Sequence, residues 1–218
     1  MPAIISIQVG LPRFRGTPGA ADPMDRPWCT GFFKEPVAGP VRVGRTNIVG
    51  DGQADLEVHG GPDKAVLAYS ADHYPAWRAE LGLPDLPFGA FGENLTVAGL
   101  TEADVCVGDV WTAGEVTFEV SQPRQPCWKL ARRWKVKTLP ATVIETGRSG
   151  WYLRVTVEGE LATGAELTRT QRPQPTWTIA RANAVMHHEK ANPTLSAELA
   201  SVPELSMTWR DTLTGRVG

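Results

Sequence analysis
The stretch Ser121-Gln122-Pro123-Arg124-Gln125-Pro126-Cys127-Trp128-Lys129-Leu130 gathers the side chains best suited to chemistry. Six basic residues (Arg124, Lys129, Arg132, Arg133, Lys135 and Lys137) stand between Ser121 and Ile144, a span without Asp or Glu. Cys127 follows Pro126 at the point where a helix is expected to begin. Helix amides and neighbouring cations both favour a thiolate over a thiol, and a thiolate is a soft metal ligand or a nucleophile. A buried cysteine beneath a solvated basic helix fits the same residues.

Three further motifs qualify. In Asp51-Gly52-Gln53-Ala54-Asp55-Leu56-Glu57-Val58-His59-Gly60-Gly61-Pro62-Asp63-Lys64, the paired glycines let the backbone pass close to a bound group. His59 and Lys64 could there address an anion or a reacting oxygen; a plain Gly-Gly-Pro-Asp turn is the alternative. In Phe91-Gly92-Glu93-Asn94-Leu95 the amide of Asn94 can meet a polar ligand. In Gly147-Arg148-Ser149-Gly150-Trp151 an arginine between glycines suits either a phosphate or a surface loop. Other candidates carry less. Cys106 falls in an apolar Val105-Cys106-Val107 run and reads as core, and Cys29 lies in a loop without cations. His73 reads as a helix-surface residue. His187 and His188 are adjacent and so face different sides of a helix. A P-loop, a Gly-x-Gly-x-x-Gly and a His-Glu-x-x-His motif are absent.

The elements that must position these residues are mostly strands. Ile5, Ile7 and Val9 alternate, as do Val41 and Val43, Val105 and Val107, and Val116, Phe118 and Val120; 152–157 is a β-branched run. Period-two runs between Gly, Pro and Asp turns predict an antiparallel barrel or sandwich, with Ala113-Gly114 and Gly159-Glu160 as tight connections. Helices are expected after the capping Ser70, with Tyr74, Trp77 and Leu81 on one face and Gly82 as the stop, then over 127–134, and over 140–146 before Gly147. Residues 171–175, Gln-Arg-Pro-Gln-Pro, read as a linker. The division is a β domain over 1–172 and a unit of three short helices over 173–218, too small to stand alone and so expected to dock on the β domain.

The 218 residues are 42% hydrophobic, enough for a real core, and the net charge of −2 implies no general attraction to nucleic acid or anionic membrane. Residues 176–218 hold four basic and four acidic side chains, which gives a helix-turn-helix reading little electrostatic drive. The segment Met1 to Ile7 lacks the pattern of a secretory signal, and no apolar run spans a bilayer. Three cysteines without a Cys-x-x-Cys pair suit a reducing compartment, so a cytoplasmic protein is expected.

Together the motifs resemble a known family. The Asp51–Val66 segment, Phe91–Leu95, Val107-Gly108-Asp109 and Ser121–Leu130, in that order, are similar to the MOSC domain, named for the molybdenum cofactor sulfurase C-terminal region. Trp177–Asn183, Met186-His187-His188, Pro203–Ser206 and Trp209-Arg210 resemble the three-helix tail of its YiiM-like branch, so nearly the whole chain is covered. The resemblance implies a mainly β, MOSC-type β-barrel with a few short helices and a small C-terminal three-helix unit. It implies a molybdenum-pyranopterin cofactor ligated by Cys127, with Arg124, Lys129 and Arg148 toward its phosphate. Gly60, Gly61 and Asn94 would stand around it, and His59 would line the metal pocket as the proton-transfer residue. The implied activity is reduction of small N-hydroxylated compounds such as hydroxylaminopurines and amidoximes, R–NHOH plus two electrons and two protons giving R–NH2 and water. Electrons would come from a separate reductase. A sulfur or molybdenum-cofactor carrier using a Cys127 persulfide, without redox turnover, is the competing expectation.

Overall fold
The computed structural model describes residues 1–55 and 60–217. Its centre is a curled, eight-stranded mixed sheet, a half-barrel. The strands are β1 (Ala3–Val9), β2 (Arg13–Arg15), β3 (Trp28–Thr30), β4 (Glu35–Pro36), β5 (Val41–Val43), β6 (Val66–Ser70), β7 (Leu95–Ala98), β8 (Val110–Ala113), β9 (Val116–Pro123), β10 (Trp151–Val157), β11 (Gly159–Leu161) and β12 (Thr168–Gln171). The large sheet runs β12-β8-β9-β10-β6-β7-β1-β4, with β5–β11 and β2–β3 as separate pairs. Backbone bonds from Ile4 N to Ala165 O (2.9 Å) and from Leu167 N to Pro2 O (2.9 Å) bring the curled sheet back toward β1.

The sheet departs from a purely antiparallel plan at one place. β6 and β7 are parallel, and a parallel pair needs a crossover. That crossover carries α1 (Tyr74–Leu81). Pro75 is accommodated in the first turn of α1, where its missing N–H costs nothing, and Gly82 ends the helix at φ 64°. The alternation in β1 is also re-phased. A register shift between Ile4 and Ser6 leaves Ile4 and Ile7 buried while Ile5 is exposed, as a bulge does. Two further expectations change. Val105 to Val107 form no strand, although Cys106 is indeed core, and Gly159 and Glu160 lie within β11 rather than in a turn.

Two helices follow β9. α2 (Lys129–Trp134) begins two residues after Cys127 and ends at Lys135, which takes φ 56°; α3 (Leu139–Thr146) ends at Gly147. Leu130, Leu139 and Val143 pack with Tyr69, Tyr74, Trp77 and Phe91 in an aromatic second core. The C-terminal helices α4 (Ile179–His187), α5 (Pro193–Ala200) and α6 (Met207–Thr214) are each N-capped by a side chain, from Thr178, Asn192 and Ser206. Such caps are worth about 0.5–2 kcal/mol apiece. Ile179, Val185, Leu199, Trp209 and Leu213 share one continuous core with Val107 and with the sheet's Phe118 and Val120. The tail is thus an integral layer of the molecule, as its small size requires. No helix among the described residues is long and apolar enough to cross a membrane.

Candidate functional site
Five separated segments converge where β9 ends and β6, β7 and β10 begin. The cavity they form has about 610 Å³ of atom-free space, part of it open to solvent. Arg124 and Cys127 come from the turn after β9 and Lys129 from the start of α2, Lys34 and Phe32 from the loop after β3, and Gly60 and Lys64 from the turn before β6. Asn94 and Gly92 precede β7, and Tyr152 projects from β10. A second lobe, lined by Gln122, Pro126 and Trp128, shares Cys127, Lys64, Gln125, Lys129 and Tyr152 with the first. Cys127, half-buried, therefore stands between two compartments of one cleft.

The inner lobe is cationic. Lys34, Lys64, Arg124 and Lys129 line it, and no Asp or Glu does so among the described residues. Arg124 is 3% exposed; its Nη2 donates to Phe91 O (3.2 Å), while its Nη1 meets no acceptor among the described residues. A buried guanidinium nitrogen without an acceptor is costly unless a ligand supplies one. Burial pulls the Lys64 ammonium below its ordinary value, with the Asp63 carboxylate opposing. Burial likewise dominates in lowering Lys34, against the opposing pull of Asp51 and Glu93. The Tyr152 hydroxyl is pushed up, chiefly by burial, and so stays protonated as a donor.

The loops are held by buried polar stitches. Asp51, fully buried, pairs with Lys34 and accepts from Gly10 N (2.8 Å) and Asn94 Nδ2 (2.9 Å). Asn94 also donates to Gln8 O (3.3 Å) and accepts from Leu67 N (3.1 Å), which ties β1, β6 and the Asp51 loop together. Both of its amide hydrogens are thereby engaged within the protein, so it borders the cavity as a strut. Glu93 accepts from Gly89 N (2.6 Å), Phe91 N (3.0 Å) and the Tyr74 hydroxyl, which shapes the loop carrying Gly92. Gly61 sits at φ 79°, a backbone conformation that favours glycine, and no atom of the described residues lies within 4 Å of where a Cβ would point.

The C-terminal unit reaches this site. Ser206 N donates to Ser121 O (3.0 Å), and Ser206 Oγ donates to Gln122 Oε1 (2.6 Å), at the end of the strand that leads to Cys127. Arg154 bridges Asp63 Oδ1 (2.6 Å) and Glu204 O (2.6 Å), fixing the turn that bears Lys64 against the tail.

Of the residues expected from sequence, Cys127, Arg124, Lys129, Asn94 and Gly60 meet at the cavity. Arg148 does not line it. Its guanidinium pairs with Glu80 (2.7 Å) and lies 3.7 Å from the Trp77 ring centroid, outside the lining. Gly61 adjoins the cavity through Gly60 but is not in its wall. His59 lies outside the described residues, between Asp55 and Gly60, each of which lines a lobe. The basic run is divided. Arg132 donates to Met24 O (3.1 Å), Arg133 to Phe32 O (3.0 Å) and Gly89 O (2.6 Å), and Lys135 pairs with Asp25, so these three staple loops and only Arg124 and Lys129 face the cleft. Lys34 and Tyr152 were not foreseen, because no local signal marks them. His73 is not a surface residue but pairs with Glu102 at 2.6 Å. His187 and His188 make no metal cluster among the described residues, and His188 contacts Ile144 O instead.

A family model for the MOSC domain matches residues 55–168, and one for a YiiM-like, 3-alpha helix domain matches residues 177–217. The chain belongs to the MOSC domain family. The YflK protein of Bacillus subtilis (strain 168) is 48% identical over 181 residues, 83% of this chain and 81% of that one. A protein of Gibberella moniliformis (strain M3125 / FGSC 7600) named "Reductase" is 38% identical over 177 residues, 80% of this chain but 31% of that longer one. The crystal structure of YiiM from Geobacillus stearothermophilus superposes with a TM-score of 0.83 at 39% identity, with both chains covered completely. MOSC domains are in general associated with binding of the molybdenum cofactor, and Cys127 and most of the cleft lining lie in the MOSC-matched region, with Gly31, Phe32, Lys34, Gly52, Gln53 and Ala54 added from before it.

Proposed function
We propose that the chain is a molybdenum-cofactor-dependent reductase of small N-hydroxylated compounds, hydroxylaminopurines and amidoximes among them. The observation that carries the reading is the pairing of a half-buried thiol with a cationic inner lobe in which a buried guanidinium nitrogen lacks an acceptor. A phosphorylated pterin with a soft metal fits that donor set. Cys127 would supply the thiolate ligand, and Arg124 and Lys129, joined by Lys34 and Lys64, would receive the phosphate. When bound, the group supplies two-electron oxygen-abstraction chemistry. The fungal relative's name agrees with a redox activity.

The chain's own residues bind, orient and protonate. The Tyr152 hydroxyl, kept protonated by burial, lines both lobes and offers a hydrogen bond to the substrate oxygen. Proton delivery is assigned to His59, whose ring titrates near neutrality in ordinary surroundings. Phe32, Leu67 and Phe91 give the inner lobe apolar walls beside its cations. A separate reductase delivers the electrons, and the expected setting is cytoplasmic.

The test is Cys127→Ser in protein produced with the cofactor. Molybdenum content and benzamidoxime reduction are expected to fall together while circular dichroism is unchanged. Stoichiometric molybdenum in the variant would overturn the ligand assignment. Parent protein carrying labile sulfane sulfur and no metal would instead support a carrier.

A further inference from the structure
The outer lobe has a wall that the inner lobe lacks. Trp128, next in sequence to Cys127, is 52% exposed and lines this lobe. An exposed tryptophan is usually free to swing, but this one is backed. The Trp28 ring, 8% exposed, lies behind it at 5.2 Å between centroids. The Arg132 guanidinium sits 4.9 Å from the Trp28 ring and 5.4 Å from the Trp128 ring, and is itself fixed by Met24 O and Arg26 O. Trp128 is thus packed on one side against the tilted Trp28 ring and the Arg132 guanidinium, which restricts its orientation before any ligand arrives and lowers part of the ordering cost of binding. Exposed, preorganised aromatic surface of this kind is typical of recognition sites. Beside it, the exposed Gln125 borders both lobes, and its side-chain amide makes no hydrogen bond among the described residues. An amide can donate and accept at once.

We infer that the outer lobe is the substrate seat and that Trp128 sets its specificity. A planar aromatic ring stacks on the indole, and the Gln125 amide reads the polar edge of that ring. The N-hydroxyl group is then directed toward Cys127 at the junction of the lobes. The cleft accordingly selects aromatic N-hydroxylated compounds over aliphatic ones of equal reactivity. This inference rests on the reductase reading.

The test compares benzamidoxime with acetamidoxime on the cofactor-loaded enzyme. Stacking of this type changes affinity by roughly tenfold or more. Trp128→Ala is therefore expected to lower the benzamidoxime-to-acetamidoxime ratio of kcat/KM about tenfold, mainly through KM for benzamidoxime, and Trp128→Phe to restore most of it. A ratio unchanged in Trp128→Ala, or the same loss for both substrates, overturns the assignment. If the parent reduces neither compound, the reductase reading has failed, and calorimetric binding of benzamide decides the aromatic seat by itself. Weaker binding to Trp128→Ala than to the parent supports the seat; equal binding overturns it.

Discussion
The Lys34–Asp51 pair is the part of the site most sensitive to losing one partner. The Lys34 side chain is 7% exposed and that of Asp51 is 0% exposed. Asp51→Asn leaves the ammonium facing a neutral amide with little water, and breaking a buried pair from one side costs about 3–5 kcal/mol. Lys34→Met leaves the carboxylate with its bonds from Gly10 N and Asn94 Nδ2, so its cost should be smaller, about 2–3 kcal/mol. The double variant carries no uncompensated charge and should lie within about 2 kcal/mol of the parent, a coupling of at least about 3 kcal/mol. Urea unfolding at pH 7, followed by fluorescence and far-UV circular dichroism, measures this directly. With a slope of about 2.5 kcal/mol per molar, a loss of 4 kcal/mol moves the midpoint by about 1.6 M. If the two single costs add to within about 0.5 kcal/mol, the pair is solvated and the account of how the loop after β3 is held is wrong.

Two other predictions concern shape and pH. Gly92 has φ 80°, and a Cβ there would come within 2.6 Å of the Phe32 ring. Gly92→Ala should cost about 2–3 kcal/mol from left-handed strain and crowding and weaken phosphate binding by displacing Phe32; unchanged melting and phosphate affinity would contradict the close fit. His187 is held at about 4, against an ordinary 6.5, by burial first and then by Lys190, His188 and Arg216. The unfolded chain therefore binds the proton more readily between those values. Stability should be level above pH 6.5 and fall as the pH drops toward 4. After allowance for the ring's partial exposure, the loss is about 1–2 kcal/mol. Urea midpoints from pH 4 to 8 should flatten by that amount in His187→Leu, and identical curves would refute it.

The sequence by itself determined what depends on neighbours along the chain. Ser70 capping the turn before α1 and Gly82 and Gly147 ending helices all act through local backbone geometry. Cys127, Arg124 and Lys129 are legible together because the turn after β9 and the first residue of α2 follow one another directly in sequence. The tertiary structure decided which charges face the cleft. Arg132, Arg133 and Lys135 belong to the same basic run, yet each is drawn to an oxygen atom brought near by a distant loop, and Arg148 is drawn to Glu80 and Trp77. Lys34 and Tyr152 reach the cavity from segments far away in sequence. A run of like charges fixes a local potential, but the direction of each long side chain is set by the partner that the folded chain places within its reach.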